Sequence, residues 1–289
     1  MNKDLTLVFS SYQSKHLLQK ILKRFQNKYK TIIIENSLDT KIKLSLEKRF
    51  KNTEVIIPKE NLGLAKSYNL GLKKAKTKFV FLNNPDMEIT DNSIKNLLYC
   101  AQKIKKFGAL SPCFMNEKMY KNYEIFKKRK SNNTHIFKKF DIEEVDLLDN
   151  NLFIKKGNIG RDIFDENYFL FFETLDFTRQ LKLNGKKLYI IKKIKFNHFG
   201  ASSLPSKFDS LVKKTRAFHY NWSKFYYLKK NFGYFTALKK ILPNLVRALK
   251  KIVINILKLN FSEIKFNFLE LYGIFTSILF FKSFFRPKN

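Results

Sequence analysis

Residues Lys78 to Ile89 read KFVFLNNPDMEI. A run of apolar, β-favouring residues stops abruptly at Asn-Asn-Pro-Asp, the pattern of a buried strand whose C-terminal end carries a short polar turn. Similar runs lie upstream in LTLVFSS (5–11), TIIIENS (31–37) and TEVIIP (53–58). Helical periodicity falls around them. SKHLLQKILKRF sets Leu17, Leu18, Ile21, Leu22 and Phe25 on one face behind Ser14. TDNSIKNLLYCAQKIKKFG turns Ile94, Leu97, Leu98, Ala101 and Ile104 inward and has Gly108 past its end. ENLGLAKSYNLGLKKAK opens on a turn at Gly63 and carries Gly71 inside its helix. A helical glycine costs about 1 kcal/mol against alanine, so Gly71 implies close packing or the close approach of something else.

The expected order is β-α-β-β-α-β-α, an α/β fold with a mostly parallel central sheet flanked by helices. Ligands of such open sheets bind outside the carboxyl ends of the strands. The polar turns near Ser11, Asn36 and Asn84 therefore converge on one crevice. Periodicity is weak over 116–150, where DIEEVDLLD (141–149) reads as a solvated loop or a helix start. Two strand-like runs are expected around 187–199, and 206–289 is helical, basic and aromatic. The expected division is an α/β domain over 1–205 and a C-terminal helical region over 206–289.

Apolar residues make up 44% of the 289-residue chain, with 31 Phe, which excludes a disordered chain. Lys and Arg number 57 against 24 Asp and Glu, a net charge of +33. The excess is concentrated: 206–289 holds 17 basic and 3 acidic residues. Such a surplus suits a polyanionic partner. A coding bias toward Lys, Asn, Ile and Phe, with only 9 Gly and 6 Pro, raises lysine by itself. Cys100 and Cys113 lie in no metal-type spacing and fit a reducing compartment. The apolar run near the N-terminus is too short for a signal-peptide core, and LYGIFTSILFF (271–281) falls short of the ~18 residues of a membrane span. The chain is expected not to cross a bilayer.

Asp86, just past a buried strand and beside a proline that fixes the turn, has the oxygen chemistry to bind Mg²⁺ or Mn²⁺ with sites left open for a diphosphate. Ordinary turn capping is the other use of Asn-Pro-Asp. The ordered set VFSSYQS, IIIENS, ENLGLAKSYNLGLKKAKTKFVFLNNPDMEI and FDENYFLFFETLDFTRQLKLNGKKLYIIKKIKFNHFGASS resembles family 2 glycosyltransferases, in particular rhamnosyltransferase-like members whose metal motif is Asn-Pro-Asp. The resemblance covers about 5–203. It implies a GT-A fold, a nucleotide-sugar donor carried on UDP or dTDP, a divalent metal (Mg²⁺ or Mn²⁺), and inversion at the anomeric carbon.

By the same resemblance, Ser11, Tyr12, Glu35, Asn61, Gly63, Asn69, Gly71 and Asn84 belong to the nucleotide-sugar site, and Asp86 and His198 to the metal or diphosphate. The chain departs from the pattern with Gln13 where Asn is usual, and with Asp149 and Asn150 near the family's small Gly-Ala, which bears on acceptor geometry. A further departure touches the chemistry itself. An acceptor hydroxyl needs a carboxylate within hydrogen-bond reach to take its proton. The family usually has Glu-Asp at 173 and 174, often with the Asp as base; this chain has Glu173 and Thr174. Glu173 is therefore the expected base and Asp176 the reserve, both in an aromatic setting that raises a carboxylate's proton affinity. Asp165 and Glu166 read as loop-fixing or acceptor-contacting.

The tail mixes Trp222, Tyr226, Tyr227 and Phe235 with lysines, which fits helices lying on an anionic membrane surface or packing on the catalytic domain. The expected protein is cytoplasmic, peripheral on the inner face of the cell membrane, and acts on a saccharide or lipid-linked saccharide in surface polysaccharide or lipopolysaccharide synthesis. Two other classes stay open: a catalytically inactive membrane-associated scaffold of the same fold, favoured by Thr174, and a nucleic-acid binder. No nucleic-acid module motif is present, so no nucleic-acid partner is expected.

Overall fold

The run Phe79–Asn83 is a strand buried at every residue, as an unbroken apolar segment covered on both faces requires. The computed structural model describes residues 2–25, 27–115, 120–127, 129, 132–161, 163–198 (of His198 the backbone) and 206–286. In chain order the first elements are β1 (Asn2–Ser11), α1 (Lys15–Phe25), β2 (Tyr29–Glu35), α2 (Thr40–Arg49), β3 (Thr53–Ile56), α3 (Gly63–Lys74), β4 (Phe79–Asn83), β5 (Met87–Glu88), α4 (Asp91–Lys103) and β6 (Ala109–Phe114). Then come β7 (Tyr123–Glu124), α5 (His135–Phe140), β8 (Ile142–Val145), β9 (Leu147–Leu148), β10 (Phe153–Lys155), α6 (Lys156–Ile159), α7 (Glu173–Leu183) and β11 (Leu188–His198). A short 3₁₀ turn at Ser206–Phe208 leads into α8 (Asp209–Phe232), α9 (Tyr234–Leu257) and α10 (Phe261–Ile278).

The chain forms two compact units. The first comprises Met1–Leu62, Lys66–Phe164 and Thr174–Leu204; the second comprises Gly63–Ala65, Asp165–Glu173 and Pro205–Asn289. The boundary expected at 205 falls at residues outside those described.

In the first unit a nine-stranded sheet runs β3-β2-β1-β4-β10-β6-β11-β5, with β8 on β11. Strands β3, β2, β1 and β4 are parallel, and so are β6 and β11, whereas β10 is antiparallel to both its neighbours. The sheet is thus mixed. Its core takes Leu5, Leu7, Phe9, Phe79, Phe81 and Phe153 from the strands. The inward faces of α1 and α4 join it with Leu18, Ile21, Leu22, Phe25, Ile94, Leu97 and Leu98. Gly71 has a packing role: a Cβ there would lie 2.3 Å from Val8 Cγ1, so α3 sits directly on β1.

Three expectations are corrected. Between β2 and β3 lies α2, started by the Asp39 carboxylate, which accepts the Lys41 N–H at 2.9 Å, and seated by buried Ile42 and Leu46. The acidic run is β8 and β9 rather than a loop or helix start. Basic side chains compensate its carboxylates: Lys182 lies 2.8 Å and Arg129 3.4 Å from Glu144, Lys192 lies 2.6 Å from Glu143, and Arg129 also pairs with Asp146. Ile142, Val145, Leu147 and Leu148 are then free to be buried. The two runs around 187–199 are one strand, β11, whose register against β6 shifts between Ile191 and Lys195.

In the second unit α8, α9 and α10 pack together. Gly273 of α10 meets the backbone of α8 so closely that a Cβ would be 2.3 Å from the Phe218 carbonyl oxygen. Ser277 Oγ donates to Trp222 O at 3.0 Å, and Asn244 Nδ2 of α9 to Asn221 Oδ1 at 3.1 Å. His219 is fully buried, with Nε2 2.6 Å from the Phe285 carbonyl and Nδ1 3.0 Å from Ser283 Oγ. A carbonyl only accepts, so Nε2 carries the proton and Nδ1 accepts from the serine. Among the described residues no helix is long and apolar enough to cross a membrane.

Candidate active site

Parallel pairing of β1 with β2 and β4 brings three carboxyl ends to one sheet edge, with Ser11 level with Glu35 and Phe9 level with Asn83. At the first turn Glu35, fully buried, accepts from Ser11 Oγ at 2.7 Å, Gln13 N at 3.0 Å and Ser37 N at 3.1 Å. These bonds hold Gln13 in a left-handed conformation with φ 53°. Burial and then the Glu35 charge push the Tyr12 hydroxyl pKa up. Asn36 ties the next loop: its Oδ1 accepts from Leu62 N at 3.0 Å, and its Nδ2 donates to Ser67 Oγ at 3.0 Å and Ser10 Oγ at 3.2 Å. The half-buried Asn61 directly precedes this anchor.

The turn after β4 is braced by a second pair of asparagines. Asn151 Nδ2 donates to Asn83 Oδ1 at 3.0 Å, and Asn84 Nδ2 to Asn150 Oδ1 at 3.3 Å. Both Asn150 and Asn151 are left-handed, with φ 54° and 39°, a conformation asparagine tolerates better than most residues. Tyr68 OH donates to Asn84 Oδ1 at 2.9 Å, and Asp86 is only 7% exposed. The β5–β11 ladder sets His198 level with Met87, next to Asp86 in sequence; the His198 side chain lies outside the described residues. Among the described residues no group of three His, Cys, Asp or Glu is arranged to hold a metal.

Helix α3 contributes differently from its glycine spacing. Asn69 makes two bonds to the backbone of Phe164, Nδ2 to O and Oδ1 from N, both 2.9 Å, and so fixes the segment before α7. Phe164 in turn stacks on Phe177 with centroids 4.1 Å apart. In the second unit Gly63, φ 70°, lies under Phe169, whose carbonyl accepts Leu64 N at 2.7 Å. Asp165 of that unit fixes its loop by accepting from Lys230 at 2.7 Å, Asn167 N at 3.0 Å and Tyr226 OH at 2.9 Å. Burial opposes its ionisation, but the Lys230 ammonium and these donors hold its pKa below the ordinary value. Phe171 and Phe172, both left-handed at φ 70° and 65°, lead into α7. Such strain persists only where packing imposes it, here from Tyr220 and Tyr227.

At the start of α7, Glu173 and Asp176 are sealed, 3% and 1% exposed. Thr174, between them, donates its hydroxyl to Asp149 Oδ1. Tyr120 OH donates to Asp149 Oδ2 at 2.5 Å and accepts from Asn150 Nδ2 at 3.0 Å. The sequence reading gave Asn151 and Tyr120 no role, Asn36 only that of a turn at the crevice, and Asp149 and Asn150 only that of a departure bearing on acceptor geometry. For Asp149, Asn150 and Asn151 the local signal was the Asp-Asn-Asn triplet opening the turn before β10.

Residues 6–159 match the family model described as Glycosyl transferase family 2. No curated protein matches the chain in sequence. Among solved structures, Staphylococcus aureus TarS is 14% identical with a TM-score of 0.50, over 74% of this chain and 39% of that one. GalNAc-T7 with UDP, GalNAc and Mn²⁺ is 13% identical with a TM-score of 0.52, over 76% of this chain and 49% of that one. Mannosyltransferase PcManGT from Pyrobaculum calidifontis, in complex with GDP-Man and Mn²⁺, is 10% identical with a TM-score of 0.55, over 96% and 88%. The chain therefore spans less than half the length of the first two and most of the third.

Proposed function

From the premise that the chain belongs to glycosyl transferase family 2 and has the GT-A fold, we propose that it moves a sugar with inversion from a nucleotide-sugar donor to a saccharide or lipid-linked saccharide. On this reading it serves surface polysaccharide or lipopolysaccharide synthesis and belongs with the rhamnosyltransferase-like members whose metal turn reads Asn-Pro-Asp. The observation that carries the proposal is the braced turn of Asn84 and Asp86 on the sheet edge that also holds Ser11 and Glu35. Solved structures of the same fold that hold UDP or GDP-Man support a nucleotide-sugar donor, and the proposal takes it to be UDP- or dTDP-linked.

The donor set fits a hard dication. Asp86 offers one nearly buried carboxylate, and Mg²⁺ or Mn²⁺ at phosphoryl sites takes one or two carboxylates with the remaining ligands from phosphate and water. When bound, the dication neutralises charge developing on the departing diphosphate. Asp86 would hold it, with His198 next to Met87 in register as a further donor. Ser11 and Tyr12 line the nucleotide side, Glu35 sets their turn, Asn61 and Asn84 contact the donor, and Gly63, Asn69 and Gly71 keep α3 and its neighbouring loop in place. The acceptor's proton goes to a carboxylate in the surroundings of α7, where Glu173 and Asp176 were expected.

The protein works at the cytoplasmic face of a membrane, on the reading that α9 and α10 lie on anionic lipid. Leu249, Val253, Ile256, Leu257, Phe268 and Tyr272 are exposed beside lysines, and Lys265, Phe268, Tyr272 and Phe275 line an apolar cavity of about 570 Å³.

A thermal-shift panel of UDP, dTDP, GDP and ADP, with and without Mn²⁺, on wild type and Asp86→Ala tests the donor site. A ligand at a hundredfold excess over Kd stabilises the native state by about 2.7 kcal/mol. One nucleotide is expected to give a metal-dependent shift that Asp86→Ala loses. A folded protein that responds to none of them sinks the proposal in favour of a scaffold.

A further inference from the structure

Asp149 was not among the carboxylates expected to do chemistry, yet three features of its position suit it to that role. It is half-buried, whereas Glu173 and Asp176 are 3% and 1% exposed. A base must come within hydrogen-bond distance of a hydroxyl arriving from solvent, and sealed carboxylates do not meet that condition without rearrangement. Asp149 also directly precedes Asn150 and Asn151, whose amides bond to Asn84 and Asn83, so its backbone is tied to the turn that carries Asp86. Finally, three donors fix the carboxylate. Thr174 Oγ1 and Asn150 N (2.9 Å) reach Oδ1, and Tyr120 OH (2.5 Å) reaches Oδ2. An ionised carboxylate has about four acceptor positions, so Oδ2 keeps one for an incoming hydroxyl.

We infer that Asp149 is the general base of sugar transfer, held by Thr174 and Tyr120; the inference rests on the glycosyltransferase reading above. The acceptor O–H proton passes to Asp149 Oδ2 while the acceptor oxygen forms its bond to the anomeric carbon. The bond from that carbon to the diphosphate oxygen breaks on the opposite face, and its electron pair leaves with the nucleoside diphosphate. The products are the inverted glycoside, the nucleoside diphosphate and protonated Asp149, whose exposed side returns the proton to water. Thr174 and Tyr120 are positioning residues in this scheme. A hydroxyl at 174 is what a carboxylate at 149 needs, because a second carboxylate in its place would repel the first.

The test is release of nucleoside diphosphate from UDP-glucose, UDP-N-acetylglucosamine, dTDP-rhamnose and GDP-mannose with Mn²⁺ and water as acceptor. Wild type, Asp149→Asn, Asp149→Gly, Glu173→Gln and Thr174→Asp are compared. Asp149→Asn is expected to lose about 10²- to 10⁴-fold in kcat, the usual contribution of a general base, with the donor KM within about twofold of wild type. Added formate is expected to restore part of the turnover of Asp149→Gly, which a merely structural carboxylate would not allow. Thr174→Asp is expected to lower activity. The inference is overturned if Asp149→Asn keeps more than about a tenth of kcat, if formate restores nothing, or if Thr174→Asp raises activity. In those cases a wild type that turns over its donor leaves the glycosyltransferase reading standing. A wild type that turns over no donor and binds no nucleotide overturns both.

Discussion

Replacing Gly71 with alanine separates a packing glycine from a nucleotide-facing one. The added Cβ would sit 2.3 Å from Val8 Cγ1, with Val8 Cγ2 at 3.3 Å and Cβ at 3.4 Å. Carbon atoms rest at about 3.5–4.0 Å, so the shortfall exceeds ~1 Å. Val8 is fully buried in a strand paired on both sides and is stiff about χ1, so it has little room to yield. Overpacking of this kind costs about 1–3 kcal/mol, offset by the ~1 kcal/mol helix preference of alanine over glycine. The net expectation for Gly71→Ala is a loss of about 0–2 kcal/mol. In a Val8→Ala background the offending Cγ1 is gone and only the Cβ at 3.4 Å remains. There the same substitution keeps its helical advantage and stabilises by roughly 1 kcal/mol. The coupling between the two sites is then about 1–3 kcal/mol. Urea unfolding of the four proteins, followed by far-ultraviolet circular dichroism and Trp222 fluorescence, measures it. Additive effects would refute the packing argument. Equal loss of nucleotide-induced thermal shift in both backgrounds would assign Gly71 to the ligand instead.

Two further outcomes are expected. Burial pushes the His219 pKa down to about 3, against the Phe285 carbonyl bond, which favours the charged form. The unfolded chain therefore binds a proton that the native state refuses between about pH 6.5 and 3, so this residue's stability is complete above 6.5 and is lost at ~1.4 kcal/mol per pH unit as pH falls. His219→Gln should flatten the urea-midpoint profile in that window; an unchanged slope refutes the assignment. The apolar surface of α9 should bind vesicles containing phosphatidylserine more tightly than neutral ones, and Val253→Glu with Leu257→Glu should abolish sedimentation with either. Retention of binding by that double variant would remove α9 from the membrane reading.

Elements set by near neighbours were legible from the chain alone. The buried middle of β1 (Leu5–Phe9) and strand β4 are short, mainly apolar runs closed by polar turns, and α4 repeats its apolar residues at helical spacing behind a Thr90 cap that accepts Ser93 N at 3.1 Å. The α/β fold followed from their order, and the resemblance carried by four motifs implied the GT-A fold and family 2 membership. Where a segment's fate depends on a distant partner, the pattern misleads. The acidic run over 141–149 becomes strands because Arg129, Lys182 and Lys192 neutralise it, and no local rule announces those partners. Gly71 reads as close packing or the close approach of something else, and only the tertiary structure names Val8 as the neighbour.

The same division runs through the site. The turn that carries Asn84 and Asp86 was legible, since a polar turn after a buried strand is a local event, whereas a donor or metal role for them was implied only by the family resemblance. The pairing of Asn83 and Asn84 with Asn151 and Asn150, and the meeting of Asp149 with Thr174, belong to tertiary structure alone. A hydrogen bond between residues far apart in sequence leaves no periodicity behind. It exists only once β10 has inserted between β4 and β6, bringing to the sheet edge a carboxylate that the chain carries well before the helix where one was sought.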